Sequence, residues 1–119
     1  MDQKEFVNAI KEVVRDDSIL GVTQKLEKPP GRTPEAKLVM ASTWYNNLDY
    51  DQKAVVKAII EMAVNETVFG FLCVIDGVRS VNKTVAEQGT FKLSFVNGDK
   101  ESILNGTESD DYLHDMFNS

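Results

Sequence analysis

The stretch from Tyr50 to Gly77 most constrains how this chain folds. At 100° per residue, Val55, Ile59 and Met62 fall within about 60° of one another, which is typical of the apolar stripe of an amphipathic helix. After Asn65 polar side chains almost disappear. We therefore expect the second half of the stretch to be buried nearly all round.

The signals at the two ends of this stretch favour one long helix. Asp49 and Gln52 have the spacing of a capping box, and Gly77 suits the residue that follows a helix end. Residues 68–76 also have the length of a buried strand, and periodicity alone leaves that alternative open. The apolar run is much shorter than the roughly 20 residues of a membrane span, so we expect no membrane contact.

Helices are also predicted in the N-terminal part of the chain. Asp2 and Glu5 form another capping box before a first helix, and residues 18–26 keep an approximate helical spacing. Residues 27–33 contain Pro-Pro-Gly, which neither a helix nor a central strand can continue through. Arg32 in this connector could be the tip of a binding loop, but we favour a stiff link between helices.

A further helix is predicted over residues 34–47, with Thr33 as its N-cap and Pro34 at its first position. One arc of this helix is apolar: Leu38, Ala41, Tyr45 and Leu48. Met40 and Trp44 lie one turn apart beside that arc and could line a groove for a partner. A wide core face explains them as well, and we favour that interpretation.

The C-terminal third predicts a β-hairpin and a short helix. Residues 90–96 alternate in polarity, Asn97-Gly98 favours a tight turn, and residues 101–105 return. Whether Asn97-Gly98 or Gly98-Asp99 forms the two-residue loop, one face is apolar and must be covered by helices: Phe91, Leu93, Phe95 and Leu104. Ser109 can cap the last helix, with Asp110 and Asp111 in its first turn. We predict a single α+β domain over residues 1–119: mainly helical, with one long central helix, a C-terminal hairpin and a short terminal helix.

Composition and charge limit the class of function. The chain has one cysteine, Cys73, and no signal-peptide pattern at its start, so we expect a reducing, cytoplasmic location. The net charge is −6, and residues 97–119 hold six acidic side chains against one basic one. This charge opposes nucleic-acid binding, which depends on neutralising phosphates. It favours a basic protein partner, which Asp110, Asp111 and Asp115 would meet on an exposed acidic surface.

Glu66 is the anomaly of the sequence. It lies about 20° from Val55, in the middle of the apolar stripe, where a free carboxylate would be costly to desolvate. We expect it to be substantially buried and paired, with Arg15, Arg32 or Arg79 as the structural partner. The alternative is a cavity carboxylate that serves a small ligand or proton chemistry.

Other signatures of chemistry are weak, and we predict no cofactor, metal site or catalytic residue. Cys73 lies in an apolar run and is interpreted as a buried structural thiol. His114 follows Asp110 and Asp111 and precedes Asp115, a spacing that permits a metal site. A solvated acidic helix start explains the same residues, and we favour it.

Five short segments together resemble a small bacterial family that carries no known function: Pro29-Pro-Gly-Arg32, Trp44-Tyr-Asn46, Phe69-Gly-Phe71, Asp76-Gly-Val-Arg79 and Leu113-His-Asp115 with Phe117. The resemblance implies a bacterial, cytoplasmic protein and assigns no site residue. We expect a non-enzymatic protein-interaction module, such as an immunity or regulatory protein, that binds a basic partner or forms a homodimer. The alternatives are a small-ligand-binding protein with Glu66 in its pocket and a small enzyme that uses carboxylate acid/base chemistry.

Overall fold

The architecture is that of a computed structural model, which describes residues 1–81, 84, 89–106 and 111–119. Most of the chain is helical, and an antiparallel hairpin and a short helix lie near its C-terminal end. The elements are α1 (Gln3–Ala9), a π-helical segment (Ile10–Asp16), α2 (Asp17–Glu27), α3 (Ala36–Asn46), α4 (Tyr50–Ile75), β1 (Ser94–Asn97), β2 (Lys100–Ile103) and α5 (Leu113–Asn118). The α+β prediction, with its long central helix, is confirmed.

Helix α4 is continuous, so residues 68–75 form a helix and not a strand. The predicted capping box is present at its start: the Asp49 N–H donates to Gln52 Oε1 at 3.0 Å, and the Gln52 N–H donates to Asp49 Oδ1 at 2.8 Å. At the other end Gly77 has φ 80°, and the Val78 N–H bonds back to the carbonyl of Cys73 at 3.0 Å. Local signals therefore set both ends of α4.

The two N-terminal helices form one run that a π-helical segment joins. The Asp2–Glu5 capping box begins the run, as predicted, and the helix predicted over residues 18–26 is present as α2, which continues from the π-helical segment without a break. A π-helical turn holds more residues than an α-helical one, so the segment rotates the side chains that follow it. Val7, before the segment, is buried at 2% exposure, whereas Val13 and Val14, within the segment, are exposed.

Helix α3 begins at Ala36, two residues later than predicted. Glu35 takes the N-cap position with an extended ψ of 137°, so Thr33 and Pro34 precede the helix. The predicted inward arc is confirmed in part by Tyr45, which is buried at 5% exposure. Residue 42 also faces inward: the Ser42 hydroxyl donates to the carbonyl of Leu26 at 2.6 Å and thereby ties α3 to the end of α2.

The chain divides into two compact units, each described by itself below. The terminal unit comprises Met1–Glu12 and Glu66–Ser119, and the middle unit comprises Val13–Asn65. The core of the terminal unit consists of Val7, Leu72, Leu113 and Phe117, with partly buried apolar side chains around it: Phe6, Val68, Phe69, Ile75, Leu93 and Met116. In the middle unit only Ser42 and Tyr45 are buried.

The hairpin of the terminal unit has Gly98 and Asp99 as its two loop residues, because Asn97 pairs with Lys100. Gly98 has φ 63°, which suits a tight hairpin turn. On the predicted apolar face Leu104 is buried at 2% exposure, and its N–H donates to the carbonyl of Leu93 at 2.8 Å.

The rest of that face is less covered than expected. Phe91 is 50% exposed and Phe95 is 36% exposed. The prediction that helices cover the whole face is wrong for these two side chains, and regular strand begins only at Ser94.

Candidate functional site

Segments that are far apart in sequence meet at the end of α4, in the terminal unit. The ring of Phe69 meets the ring of His114 edge-on, with centroids 5.6 Å apart, and Tyr112 stacks on His114 at 5.3 Å. The Arg79 guanidinium lies on Gly70, where a Cβ atom would come within 3.3 Å of Arg79 Cζ. Three of the segments that carry the family resemblance therefore form one cluster.

Asp76 and His114 form the centre of this cluster. The Asp76 side chain is 1% exposed, and its Oδ2 accepts hydrogen bonds from the His114 backbone N–H at 2.9 Å and from Nδ1 at 2.6 Å. Because a carboxylate only accepts, Nδ1 carries the proton. On the other side of the ring, Nε2 lies 3.4 Å from Oδ1 of Asp115. The imidazole is thus held between two acidic side chains.

This arrangement also caps α5. Tyr112 is the N-cap residue of α5 and makes no side-chain capping bond, so the orphan N–H of His114 is satisfied by Asp76 from the end of α4. Asp111 precedes the helix, contrary to the prediction that it lies in the first turn. Ser109, the predicted cap, and Asp110, the other predicted residue of that turn, lie outside the described residues.

Asn105 is a second buried polar link, at 3% exposure. Its amide donates to the carbonyls of Ile75 at 2.9 Å and Phe91 at 2.8 Å, and its oxygen accepts the Leu93 N–H at 2.6 Å. One side chain thereby joins the end of α4 to both sides of the hairpin. The sequence indicated a turn at Asn105-Gly106 and gave no sign of these long-range bonds.

The chemical capacity of the cluster is limited by what surrounds the imidazole. A carboxylate that orients a histidine is the arrangement of a general base, but a base needs a nucleophile or substrate at its other nitrogen. Here Nε2 faces the Asp115 carboxylate. In the described ranges no three His, Cys, Asp or Glu side chains are grouped to hold a metal ion. The geometry therefore fits a structural link best.

Cys73 is buried, as predicted. Burial raises the pKa of its thiol above the ordinary value, and the Asp76 and Asp115 carboxylates act in the same direction, while the Arg79 guanidinium opposes them. A raised pKa disfavours the thiolate, which is the reactive form. Burial and the raised pKa of the Cys73 thiol both agree with the prediction of a structural thiol.

The prediction that Glu66 is buried is wrong, because its side chain is exposed. The whole predicted stripe of α4 faces outward up to this residue: Val55 and Ile59 are each 59% exposed, and Met62 is 69% exposed. The helix instead turns a different side inward, with half-buried Val56, Ile60 and Val64. An exposed carboxylate has no desolvation cost to offset, so Glu66 needs no buried partner.

Met40 and Trp44 are exposed as well, at 69% and 59%, so their interpretation as core residues is wrong. Arg32 is exposed in the connector between α2 and α3. Arg79 is exposed overall, although its guanidinium contacts Gly70. The structure places Arg32 and Trp44 in the middle unit and Arg79 in the terminal unit.

Apart from the buried Asp76, the acidic residues of the terminal unit lie at its surface wherever the structure describes them. The Asp115 side chain is 70% exposed, and Asp99, Glu101 and Asp111 are exposed. Asp110 and Glu108, which belong to the predicted acidic surface, lie outside the described residues.

Two open grooves occur in the middle unit. The larger, about 370 Å³, is lined by Tyr45, Tyr50 and Lys53 among others, and Lys53 Nζ lies 5.3 Å from the centroid of the Tyr45 ring. The smaller, about 240 Å³, includes Asp16 and Leu20 in its lining. Glu66 lines neither groove, so neither of them is the predicted pocket around that carboxylate.

Helix α4 has the length and composition of a membrane span, with a mean hydropathy of 1.8 in its most apolar stretch. Only 17% of that stretch is buried. The apolar run at residues 68–75 therefore belongs to a longer apolar stretch of α4. Core helices of soluble proteins can have the same length and composition, and the expectation of no membrane contact stays a prediction.

Compared with protein-family models, with curated proteins and with solved structures, the chain matches none. The resemblance to a bacterial family stays a prediction.

Proposed function

We propose that this protein acts by binding another protein, as a regulatory or immunity-type module, and that the middle unit carries the contact. The observation that supports this most is the pair Trp44 and Met40, which are 59% and 69% exposed one turn apart on α3. Trp is enriched among the residues that dominate binding energies, and Met adapts its shape to a partner. A single exposed apolar side chain needs no explanation, but neighbouring ones mark binding surfaces.

The competing functions have less support. A ligand-binding function required Glu66 in a pocket, and this side chain is exposed and outside both grooves of the middle unit. An enzymatic function based on carboxylates has no observation in its favour at the Asp76–His114 link, where both ring nitrogens of His114 face carboxylates. A protein-binding function needs only the exposed surface that is present.

The partner is expected to be basic. The chain carries a net charge of −6, and Asp99, Glu101, Asp111 and Asp115 are exposed on the terminal unit. Charges at the surface of this kind mainly raise the association rate, and salt screens them. Association should therefore slow as ionic strength rises, while the apolar contact at Trp44 controls dissociation.

The experiment compares capture by the wild-type chain and by Trp44→Ala, from extracts of the native source, with mass spectrometry to identify the retained proteins. Each retained protein is then purified and its Kd measured by calorimetry. Trp44→Ala should weaken binding about 30-fold, since a hot-spot residue contributes about 2 kcal/mol or more. Trp44→Phe should retain most of the affinity, and Tyr50→Ala, which removes an 87% exposed aromatic side chain, is the matched control. A partner with equal affinity for the wild type and Trp44→Ala would contradict the proposed contact.

A further inference from the structure

The larger groove of the middle unit is lined by residues of three helices, all of them within that unit. It has a volume of about 370 Å³ and includes two aromatic side chains, Tyr45 of α3 and Tyr50 at the start of α4. Tyr45 is buried at 5% exposure, whereas Tyr50 is 87% exposed. The volume is in the range of about 300–1,000 Å³ that small-molecule sites occupy. The groove therefore has the size of a ligand site and aromatic surface for a ring to pack on.

The wall that α4 contributes is cationic. Lys53 and Lys57 both line the groove and lie one helical turn apart. Among the residues that the structure describes, no carboxylate lies within 4.0 Å of either ammonium group. Like charges at this spacing repel each other. An anion bound between the two would relieve that repulsion and accept charge-assisted hydrogen bonds from both.

The Lys53 side chain is held at the groove by its contact with Tyr45. It is half-buried, and its Nζ lies 5.3 Å from the centroid of the Tyr45 ring, which is the distance of a cation–π contact. Because water is partly excluded from a half-buried side chain, the attraction between its charge and an anion is stronger than at a fully exposed lysine. This position therefore favours an anionic group.

The wall that α2 contributes has the opposite character. Glu27, the last residue of α2, provides a carboxylate, and Thr23 provides a hydroxyl one turn earlier. The Thr23 hydroxyl donates to the carbonyl of Ile19 at 2.8 Å, so its oxygen can only accept a further hydrogen bond. Both groups on this wall are therefore acceptors, which suit an ammonium group. The Glu27 carboxylate also opposes a ligand that carries negative charge alone.

The negative charge of the whole protein does not oppose an anionic group in this unit. Residues 13–65, which form the middle unit, hold seven basic and seven acidic side chains. The net charge of −6 therefore belongs entirely to the terminal unit. The middle unit by itself carries no net charge that would repel either end of a zwitterion.

We propose that this groove binds a small zwitterionic aromatic molecule, with the chemistry of an aromatic amino acid. Its anionic group lies between the ammonium groups of Lys53 and Lys57, its own ammonium group faces the acceptors of α2, and its ring packs on Tyr50. A ligand of this class pairs with both walls, whereas a simple anion or a simple amine meets a like charge on one of them. The site is separate from the protein contact at Trp44 and does not depend on it.

The test is a titration of the full chain with L-phenylalanine, followed by the NMR chemical shifts of the backbone amides. The shifts should be concentrated at the groove, with a Kd of about 1 mM or lower, which a ligand of this size can reach. Each of three analogues lacks one group: phenylpropionate lacks the amine, phenethylamine lacks the carboxylate, and L-alanine lacks the ring. Each analogue should bind about tenfold more weakly, because it loses one of the three contacts.

Substitutions locate the site. Lys53→Gln and Glu27→Gln should each raise the Kd for L-phenylalanine about tenfold. The matched control is Lys37→Gln, which removes an exposed lysine of α3 that lines neither groove and should leave Kd unchanged. Lys57→Gln, at an exposed position, replaces Lys53→Gln if the latter lowers the melting temperature.

Four results would overturn the proposal. They are the absence of shifts up to about 10 mM L-phenylalanine, shifts confined to residues outside the groove, an analogue that binds as tightly as L-phenylalanine, and a Kd that changes equally in the Lys37→Gln control and in the groove variants. None of these results bears on the protein contact at Trp44, which the capture experiment tests separately.

Discussion

The terminal unit and the middle unit differ in how they use their apolar side chains. The terminal unit buries Val7, Leu72, Leu113 and Phe117 in one cluster. The middle unit buries only Ser42 and Tyr45, while many of its large apolar side chains are exposed: Val13, Leu20, Met40, Trp44, Val55, Ile59 and Met62 among them. Hydrophobic stabilisation is roughly proportional to apolar area removed from water, so the terminal unit has the stronger source of stability.

The hydrogen bonds of polar side chains also differ between the two units. In the terminal unit, Asp76 and Asn105 are buried and bond to groups 38 and up to 30 residues away in sequence. In the middle unit, the side chains of Ser42 and Asn46 donate hydrogen bonds to carbonyls at the end of α2. One unit is thus specified by long-range contacts around a core, and the other leaves many of its large apolar side chains exposed.

The sharpest test of this comparison uses two positions of one helix. Leu72→Ala removes a side chain with 2% exposure from the core and should lower the free energy of unfolding by about 2–5 kcal/mol. Ile59→Ala removes a side chain that is 59% exposed and should change it by about 0.5 kcal/mol or less. Urea unfolding followed by circular dichroism measures both. Equal losses would show that Ile59 is covered in solution.

The next largest effect is expected at the Asp76–His114 link. Asp76→Ala removes the acceptor of two hydrogen bonds at a 1% exposed site and should lower the free energy of unfolding by about 3 kcal/mol. Asp115→Ala is the matched control, because that carboxylate is 70% exposed and lies at the longer distance of 3.4 Å from the ring. Thermal and urea unfolding of both variants measure the two losses in the free energy of unfolding. A loss at Asp76 no greater than at Asp115 would mean that the link does not hold α5.

The smallest effect concerns Cys73 and pH. Because burial raises the pKa of its thiol in the folded state, the unfolded chain ionises first as pH rises, and stability should decline above about pH 8.5. Below the unfolded pKa the thiol is protonated in both states and contributes no slope. Urea unfolding at a series of pH values, with Cys73→Ala as the reference that lacks the thiol, isolates the contribution.

A direct probe of the thiol checks the same point. Native protein should react slowly with a thiol reagent at neutral pH, and urea-unfolded protein should react rapidly. Rapid labelling of the native protein would contradict the burial of Cys73.

Local features of the fold could be predicted because their physical causes are local. The capping boxes at Asp2 and Asp49 and the glycine after α4 each depend on residues within one or two turns. The hairpin could be predicted for the same reason, and the structure selects Gly98-Asp99 from the two registers that the sequence allowed.

The orientation of α4 could not be predicted, and the error at Glu66 follows from that. The helix has apolar residues on more than one side, so periodicity identifies a helix without indicating which side faces inward. The structure turns Val56, Ile60 and Val64 inward and leaves the side with Glu66 exposed. Trp44 was misassigned for the same reason on α3.

The Asp76–His114 link was missed because it is long-range. The sequence associates His114 with the acids beside it, whereas its bonded partner is 38 residues earlier. No spacing rule connects an acid after one helix with a histidine in another, so only the tertiary structure reveals the pair.

The packing of α1 against α5 has a consequence for the nascent chain on the ribosome. Gln3 donates a hydrogen bond to the carbonyl of Leu104, 101 residues later, and the cluster around Val7 requires Leu113 and Phe117. The middle unit is made of consecutive residues and is synthesised before these last core residues. At about 5–20 residues per second, the end of α4 waits roughly 2–8 s for them. During that interval the cluster is incomplete, because two of its four buried members have not been synthesised.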